Sequence, residues 1–428
     1  MPTSPAAAAR RFDPARFEAF RFTGRRYEDR TAVLEYALDD EVEFVERIRF
    51  PDAAGEPSEP LLELLHLVAG VSYYKTAAPA AIDAPGSALL EALYTDGLAE
   101  LGYVNGIDMR ERARFAAAAP EAPAAPPLEL PRRTAVPIGG GKDSIVTLEA
   151  LKGAGEPIVA FSVGNPEPIR RTIEVAGVEH VAVERELSPN LGELNAAGAL
   201  NGHVPVTAVV SAIACFAAPL YGWDAIAMSN EDSASEPTLV HDGVEVNHQW
   251  SKGIAFERLL RDELARRAPG LDWFSFLRPW SELAIARAFA RHDAYDHAFT
   301  SCNSVFRRDP ARRGSGWCGD CPKCRFVFLA LAPWMEPERL VRIYGRDLLD
   351  EPEQAEGFAE LLGLAERKPL ECVGTLAESA AAMELVRRSP AWAHAHLPPA
   401  FASSVDPEPF LEPADDHFVP ERLRDALR

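Results

Sequence analysis

Three consecutive glycines followed by a charged triplet form the segment of this chain best suited to chemistry. They stand in Val-Pro-Ile-Gly-Gly-Gly-Lys-Asp-Ser, residues 136–144, between an apolar stretch and a predicted helix. Glycines let the backbone bring bare N–H groups to a ligand, and a helix N-terminus behind them favours an anion. The segment therefore predicts a phosphate-binding loop, with a ligand-free glycine turn as the alternative. The predicted contacts are Gly139, Gly140, Gly141, Lys142, Asp143 and Ser144.

The side chains of this loop have distinct expected roles. Lys142 would neutralise phosphate, Ser144 would hydrogen-bond it, and Asp143 would bind a Mg²⁺ ion that bridges phosphates. The loop is not a Walker A motif, because it lacks the four-residue gap between glycines. It resembles the SGGxDS loop of the PP-loop ATP pyrophosphatase superfamily, with Gly139 in place of the leading serine. That resemblance implies ATP cleavage between the α and β phosphates, and it implies that Ser162 contacts the nucleotide; an ordinary strand-end serine is the alternative.

Four cysteines follow later in the chain with the spacing C-x15-C-x2-C-x2-C. Thiolates at x2 spacing can point at one ion, and four of them complete a tetrahedral Zn²⁺ shell. Such a closed shell has no open position, so the predicted zinc site is structural. A redox CxxC pair and an iron–sulfur cluster are the alternatives. The predicted ligands are Cys302, Cys318, Cys321 and Cys324.

Two polar segments predict a second substrate site. Met-Ser-Asn-Glu-Asp-Ser follows a predicted strand from residue 228, and Val-Asn-His-Gln-Trp-Ser-Lys begins at residue 246. Polar loops at the carboxyl ends of parallel strands are where ligands bind. A solvated acidic loop, followed by a helix that Ser251 caps, is the alternative. The candidates are Asn230, Glu231, Ser233, Asn247, His248, Ser251 and Lys252. The basic run Arg307, Arg308, Arg312 and Arg313 could bind a diphosphate or carboxylate, or be a solvated loop.

The elements that must position these residues belong to an α/β fold. Short apolar strands alternate with helices between residues 132 and 335, which predicts a doubly wound parallel sheet. Residues 17–50 alternate apolar and polar side chains, as a half-exposed antiparallel sheet does. The predicted organisation is a small α+β N-terminal domain at 1–115, a Pro/Ala linker at 116–131, the α/β domain with the cysteine knuckle at 132–335, and a helical, acidic extension at 336–428.

The composition restricts the function. The chain has 428 residues and a formal net charge of −21, which argues against a nucleic-acid partner but allows a local basic pocket for a small anion. No stretch approaches the ~18–20 apolar residues that a membrane span needs, and the N-terminus does not have the pattern of a signal peptide. The expected location is the cytoplasm, and the sequence says nothing about the oligomeric state.

The order of these segments is similar to one family in particular, the UDP-N-acetyl-α-D-muramoyl-L-alanyl-L-glutamate epimerases (MurL) of peptidoglycan synthesis. The matching stretches are HLVAGVSYYKTAAP, PIGGGKDSIVTLEALK, MSNEDSASEPT, VNHQWSKGIAFE and WCGDCPKCRFVFLALAPWM. The resemblance implies an adenine nucleotide alpha hydrolase-like fold and an ATP- and Mg²⁺-dependent inversion of the terminal L-glutamate of UDP-MurNAc-L-Ala-L-Glu. The carboxylate would be adenylated, with release of diphosphate and later AMP. Adenylation makes the α-hydrogen acidic, because the resulting enolate no longer lies beside a free carboxylate.

The proton-transfer groups stay unassigned at this stage. The zinc set leaves only Cys215 and Cys372, and Cys215 lies in an apolar run typical of core, which disfavours a cysteine pair. Glu231, His248 and Lys252 are the first candidates for the base. Tyr74 and Lys75, in the stretch 67–79, are candidates for a substrate wall. Three rival functions remain: a PP-loop carboxylate–amine ligase acting through an acyl adenylate, a tRNA thiolase and a nucleotide sensor without catalysis.

Overall fold

The computed structural model describes residues 12–78, 80–118, 124–305, 313–365, 368–402 and 405–427. A ten-stranded mixed sheet runs through these residues, accompanied by a short hairpin of β10 and β11. The strands are β1 (Ala19–Glu28), β2 (Thr31–Leu38), β3 (Val42–Arg49), β4 (Ala81–Gly86), β5 (Phe115–Ala118), β6 (Thr134–Pro137), β7 (Ile158–Val163), β8 (His180–Glu186), β9 (Ala225–Met228), β10 (Leu239–His241), β11 (Val244–Val246) and β12 (Asp272–Ser275).

The helices cover both faces of the sheet. They are α1 (Glu59–Ala69), α2 (Val71–Tyr74), α3 (Ala88–Thr95), α4 (Ala99–Asn105), α5 (Met109–Arg112), α6 (Lys142–Gly153), α7 (Glu167–Ala176), α8 (Leu191–Ala197), α9 (Val206–Tyr221), α10 (Ile254–Arg267), α11 (Glu282–Phe289), α12 (Pro322–Leu331), α13 (Pro337–Tyr344), α14 (Ala355–Leu361) and α15 (Leu376–Arg388). Among the described residues, none of the helices has both the length and the apolar character required to cross a bilayer.

The strand order explains where a ligand site forms. Across the sheet the order is β12-β9-β6-β7-β8-β3-β2-β1-β4-β5, and the first five strands are mutually parallel. From β6 the chain proceeds outward to β7 and β8, and it then returns to the other side of β6 to form β9 and β12. The direction of winding therefore reverses between β6 and β9. A crevice opens at the carboxyl ends of the strands at such a point.

Two hydrophobic cores lie on opposite faces of the parallel strands. The period-2 alternation of strand side chains sends Val159 and Phe161 to one core and Ala160 to the other. The first core also holds the apolar residues of β1–β3, α1, α9 and α10. The second holds those of α6, α11, α12, α14 and α15. The C-terminal helices are therefore part of the main body of the molecule, which the acidic, proline-rich sequence did not indicate.

A short antiparallel pairing joins the N-terminal strands to the parallel strands. Ile48 of β3 faces Arg185 of β8 in this seam. The Arg185 guanidinium contacts the fully buried Glu46 carboxylate at 2.7 Å and donates to the Ser72 hydroxyl at 3.0 Å. Residues 116–131 therefore connect two parts of one sheet. The division of the chain into the four predicted domains stays a prediction.

The α/β class and the main elements predicted from the sequence are confirmed. The alternating segments at residues 17–50 form β1–β3, the four predicted α/β strands form β6–β9, and the helix after the glycines is α6. The sequence did not predict β4 or the two edge strands, β5 and β12. These strands are four to six residues long, so too few side chains alternate to give a clear period.

Candidate active site

A cleft of about 660 Å³ opens at the carboxyl ends of β6 and β9, where the winding reverses. The glycine loop that follows β6 forms one wall, and the polar segment that follows β9 forms another. Two lysines, Lys252 and Lys323, also line the cleft and give it local positive charge within an acidic chain. Predicted site residues that line it are Gly139, Gly141, Asp143, Ser144, Ser162, Asn230 and Lys252.

The glycine loop has the open backbone that a phosphate site needs. Gly140 has a φ of +85°, a conformation that favours glycine, and a Cβ there would lie 3.1 Å from Cβ of Pro168. A Cβ at Gly139 would meet nothing within 4 Å. Gly141 is the N-cap of α6, and no side chain caps the helix. The first N–H groups of α6 are thus not occupied by a capping side chain, which leaves them suited to an anion.

Lys142 is placed differently from the sequence expectation. Its side chain does not line the cleft but is buried against the carboxylates of Asp143 and Glu282. Burial lowers the pKa of the ammonium, but the two carboxylates outweigh it and raise the pKa above its ordinary value. One cation cannot fully compensate two carboxylates, and burial raises the pKa of Glu282. Asp143 keeps part of its carboxylate exposed to the cleft, so it can still face a metal ion.

Glu231 and Lys252 are brought together at the far side of the cleft. Their closest nitrogen and oxygen atoms are 3.8 Å apart, and the other carboxylate oxygen of Glu231 is buried without a hydrogen-bond partner. Arg278, which the sequence did not single out, contacts the backbone carbonyls of both residues and pairs with Glu257 at 3.2 Å. Asn230 donates to the Ser275 hydroxyl at 3.0 Å. Arg278 and Asn230 thus fix the polar segment that follows β9.

His248 lies in a hydrogen-bonded chain that joins three distant segments. Its Nδ1 is 2.6 Å from a carboxylate oxygen of Glu100, on α4, and the same imidazole lies close to the thiol of Cys372. The ring of His203 packs against it with 4.2 Å between ring centroids. Burial lowers the pKa of His248, but its hydrogen bonds to Cys372 and Glu100 outweigh this and raise the pKa to about 9. The imidazole therefore carries a positive charge at neutral pH.

Cys372 is a thiol whose environment favours the ionised form. Burial raises its pKa, but the charges of Lys252 and Lys323 and the contact with His248 outweigh burial and lower the pKa to about 6. Residue Cys372 is partly exposed, and the neighbouring Glu371 accepts a hydrogen bond at 2.7 Å from Asn303, which lines the cleft. Cys372 therefore lies next to the cleft wall, beside the imidazole of His248.

Several predicted residues either do not line the cleft or have polar atoms already bonded elsewhere in the protein. Asn247 donates to the backbone of Ala234 and accepts from that of Gln249, and Ser233 and Ser251 lie in short 3₁₀ turns. Gly253, not Ser251, precedes the first turn of α10. Tyr74 is fully buried and donates to Ala78, and the Lys75 ammonium donates to Asn195, Leu200 and Asn201. Ser162 lines the cleft, but its hydroxyl is already bonded to Gly164 and His180.

The four predicted zinc ligands converge. Their sulfur atoms all lie within 4.8 Å of one another, and the sulfur of Cys324 is 3.4 Å from that of Cys321 and 3.6 Å from that of Cys318. Four thiolates at these separations suit a tetrahedral metal ion. Cys321 is also the N-cap of α12, so the cluster is attached directly to a helix of the second core. Of the basic run, Arg307, Arg308 and Arg312 lie outside the described residues.

Comparison with known proteins identifies the family. The family described as "MurL N-terminal domain" matches residues 11–276, and "MurL C-terminal domain" matches residues 298–414. The chain belongs to the MurL family. A Salinispora tropica protein named "UDP-N-acetyl-alpha-D-muramoyl-L-alanyl-L-glutamate epimerase" is 44% identical to it, with 96% of each chain covered. Proteins of the same name from Xanthomonas oryzae pv. oryzae and Micromonospora sp. are 42% and 45% identical, and cover 97% and 96% of this MurL-family chain and 98% of their own.

Four residues that complete the site escaped the sequence analysis: Glu100, Glu282, Arg278 and Cys372. Each meets its partner across a long stretch of chain; for example, 148 positions separate Glu100 from His248 and 140 separate Lys142 from Glu282. Nothing in the local pattern distinguishes such carboxylates from surface ones. The sequence offered one indication for Cys372: among the six cysteines, it alone belongs neither to the zinc set nor to an apolar run.

Proposed function

We propose that this MurL-family protein is an enzyme that inverts the terminal L-glutamate of UDP-MurNAc-L-Ala-L-Glu to D-glutamate at the expense of ATP. The similarity that carries the proposal is the match to epimerases at 42–45% identity over nearly the whole chain. The cleft supports it, because the Asp143 carboxylate and two lysines line it beside the glycine loop.

ATP would bind as a co-substrate with its phosphates at the glycine loop, as in the PP-loop superfamily. Gly139, Gly140, Gly141 and the first N–H groups of α6 would contact phosphate oxygens, joined by the Ser144 hydroxyl. The Asp143 carboxylate fits a Mg²⁺ ion because it is a hard oxygen ligand on the cleft wall. Such an ion would offset phosphate charge while the α-phosphorus is attacked. Lys142 would act through Asp143 and Glu282 by holding both carboxylates in place.

The chemistry explains why ATP would be needed. Removing a proton next to an ionised carboxylate places a second negative charge on the same group. Transfer of AMP to the carboxylate, with loss of diphosphate, removes the first charge, so that the new one spreads into the activated carboxyl. Lys252 and Lys323 would stabilise the developing negative charge. Reprotonation from the opposite face and hydrolysis of the adenylate would release D-glutamyl product and AMP.

The cysteine cluster is proposed as a structural zinc site, held by Cys302, Cys318, Cys321 and Cys324. Four thiolates leave no open coordination position for a substrate. Zinc would join the segment before α12 to the helix itself, next to the second core. We further propose that the protein acts in the cytoplasm on a small nucleotide-linked substrate, with Asn230, Glu231 and Lys252 near the glutamyl group.

One reaction in D₂O tests the proposal. The purified protein is incubated with UDP-MurNAc-L-Ala-L-Glu, ATP and Mg²⁺, and the products are analysed by mass spectrometry and chiral chromatography. We expect D-glutamate with one deuterium at Cα, together with AMP and diphosphate. Formation of ADP and orthophosphate would contradict the adenylate. Consumption of ATP only when an amine is added, without deuterium at Cα, would support the carboxylate–amine ligase instead.

A further inference from the structure

Cys372 is a partly buried cysteine to which the sequence analysis assigned no role. It comes from the segment before α15, more than a hundred positions after the polar loops, and it lies beside His248 and close to Lys252 and Lys323, which line the cleft. His248 in turn contacts Glu100 at 2.6 Å. Thiol, imidazole and carboxylate thus form a continuous chain, in which the carboxylate orients the ring and the ring faces the sulfur. This is the arrangement that holds a thiol as thiolate in enzymes.

Charged groups around the Cys372 thiol also favour its thiolate form. Lys252 and Lys323 line the cleft, and both act on the sulfur as positive charges. His203, stacked on His248, is kept neutral, since burial lowers its pKa to about 4. The groups that face the thiol are therefore one imidazolium and two ammonium ions, with Glu100 behind the ring. By contrast, Cys215 is completely buried in apolar α9, where burial raises the pKa of its thiol.

We propose that the Cys372 thiolate removes the Cα proton of the terminal L-glutamate, with His248 and Glu100 as its positioning residues. In this step the Cα–H bond breaks, an S–H bond forms, and the electron pair of the former C–H bond passes into the activated carboxyl group. A proton that originates in solvent then reaches the opposite face of Cα, and the thiol returns its own proton to solvent. This proposal rests on the proposed function, because the adenylation proposed above is what makes the Cα proton more acidic.

A metal ion is the other occupant that this cluster could suggest. Ligand atoms of Glu100, His203 and His248 lie within 4.8 Å of one another. The 2.6 Å separation between Nδ1 of His248 and the Glu100 oxygen is a hydrogen-bond distance, and the rings of His203 and His248 pack against each other with a tilt of 40°. Metal ligands instead direct their lone pairs at one shared point. The geometry therefore favours proton transfer.

The test separates proton transfer from ATP chemistry. Wild type, Cys372→Ala and the matched control Cys215→Ala are incubated in D₂O with substrate, ATP and Mg²⁺, and both deuterium at Cα and diphosphate are measured. We expect Cys372→Ala to release diphosphate while its deuterium incorporation falls by about 10²–10⁴-fold, the range of a general base. Cys215→Ala should match wild type in both. Deuterium incorporation by Cys372→Ala at the wild-type rate would overturn the proposal, as would a parallel loss of diphosphate release and exchange.

A second measurement uses the unmodified protein, so it does not depend on the folding of a variant. Iodoacetamide at pH 7 should label Cys372 well before Cys215. Deuterium exchange should be lost in proportion to the labelling of Cys372, which peptide mapping would measure. In His248→Gln the labelling of Cys372 at pH 5, where the thiol is mostly protonated, should slow by about tenfold for each unit by which the pKa of the thiol rises. An unchanged labelling rate in His248→Gln would also overturn the proposal. If the wild-type protein releases no diphosphate, that result counts against the proposed function alone, because deuterium exchange at Cα is measured separately.

Discussion

The Asp143 carboxylate faces the cleft and at the same time contacts the ammonium of Lys142. We expect Asp143→Asn to lower diphosphate release by about 10²-fold or more, since one charged ligand of the proposed Mg²⁺ is lost. The fold should persist, because the amide has the same shape and Glu282 still pairs with Lys142. Diphosphate assays and thermal melts would measure the two effects. Full turnover in the variant would rule out the metal role of Asp143.

The thiol–imidazole pair predicts a pH profile for deuterium exchange at Cα. The pKa of Cys372 is lowered to about 6, so below that pH the thiol is protonated and no longer a base. The pKa of His248 is raised to about 9, so above that pH the imidazolium that stabilises the thiolate is lost. Exchange should therefore rise through about pH 6 and fall through about pH 9. A profile that is flat from pH 5 to 8 would contradict this assignment.

The glycine loop illustrates how an element can be tested apart from its side chains. We expect Gly140→Ala to reduce both thermal stability and ATP binding, because the backbone φ is +85° and the new Cβ would crowd Pro168. Gly139→Ala is the matched control: its Cβ meets no protein atom within 4 Å, so stability should stay the same while ATP binds more weakly. Calorimetry with ATP and Mg²⁺ measures both. Equal affinity in Gly139→Ala and wild type would exclude the loop as the phosphate site.

The cysteine cluster gives a second prediction at this scale. Cys318→Ser should lower bound zinc and the melting temperature together, because metal binding is coupled to the folding of the segment around α12. Cys215→Ala, outside the cluster, should retain its zinc. Elemental analysis and differential scanning calorimetry provide the two readouts. A stable Cys318→Ser protein without zinc would show that the cluster does not need a metal ion.

Local patterns were enough to predict the turn formed by the glycines, the clustering of the four cysteines and the polar segment after β9, because each is contiguous or repeats at fixed spacing. They could not predict that Lys142 turns away from the cleft, since its partner Glu282 lies on a helix 140 positions later. Nor could they separate Tyr74 and Lys75 from substrate-facing residues, because their polar atoms are satisfied by segments far along the chain.

At the scale of the whole molecule, the seam between β3 and β8 offers two ion pairs for comparison. Arg185→Ala leaves the fully buried Glu46 without its cation and should lower the free energy of unfolding by about 3–5 kcal/mol. Arg49→Ala removes the pair with Glu184, whose side chains are both more than 60% exposed, and should cost less than about 1 kcal/mol. Urea denaturation of both variants measures the difference. Equal losses would mean that the seam does not depend on its buried pair.

The relay of Glu100, His248 and Cys372 draws on segments that are distant in sequence, so its chemistry exists only after all three have docked. Short iodoacetamide pulses during refolding from urea would measure when the three segments come together. The moment at which the sulfur becomes fast-reacting would mark the arrival of the segment before α15 on the rest of the protein. The reactivity of Cys372 would thereby report on the last stage of folding, whereas the other thiols would report on zinc binding or on formation of the core.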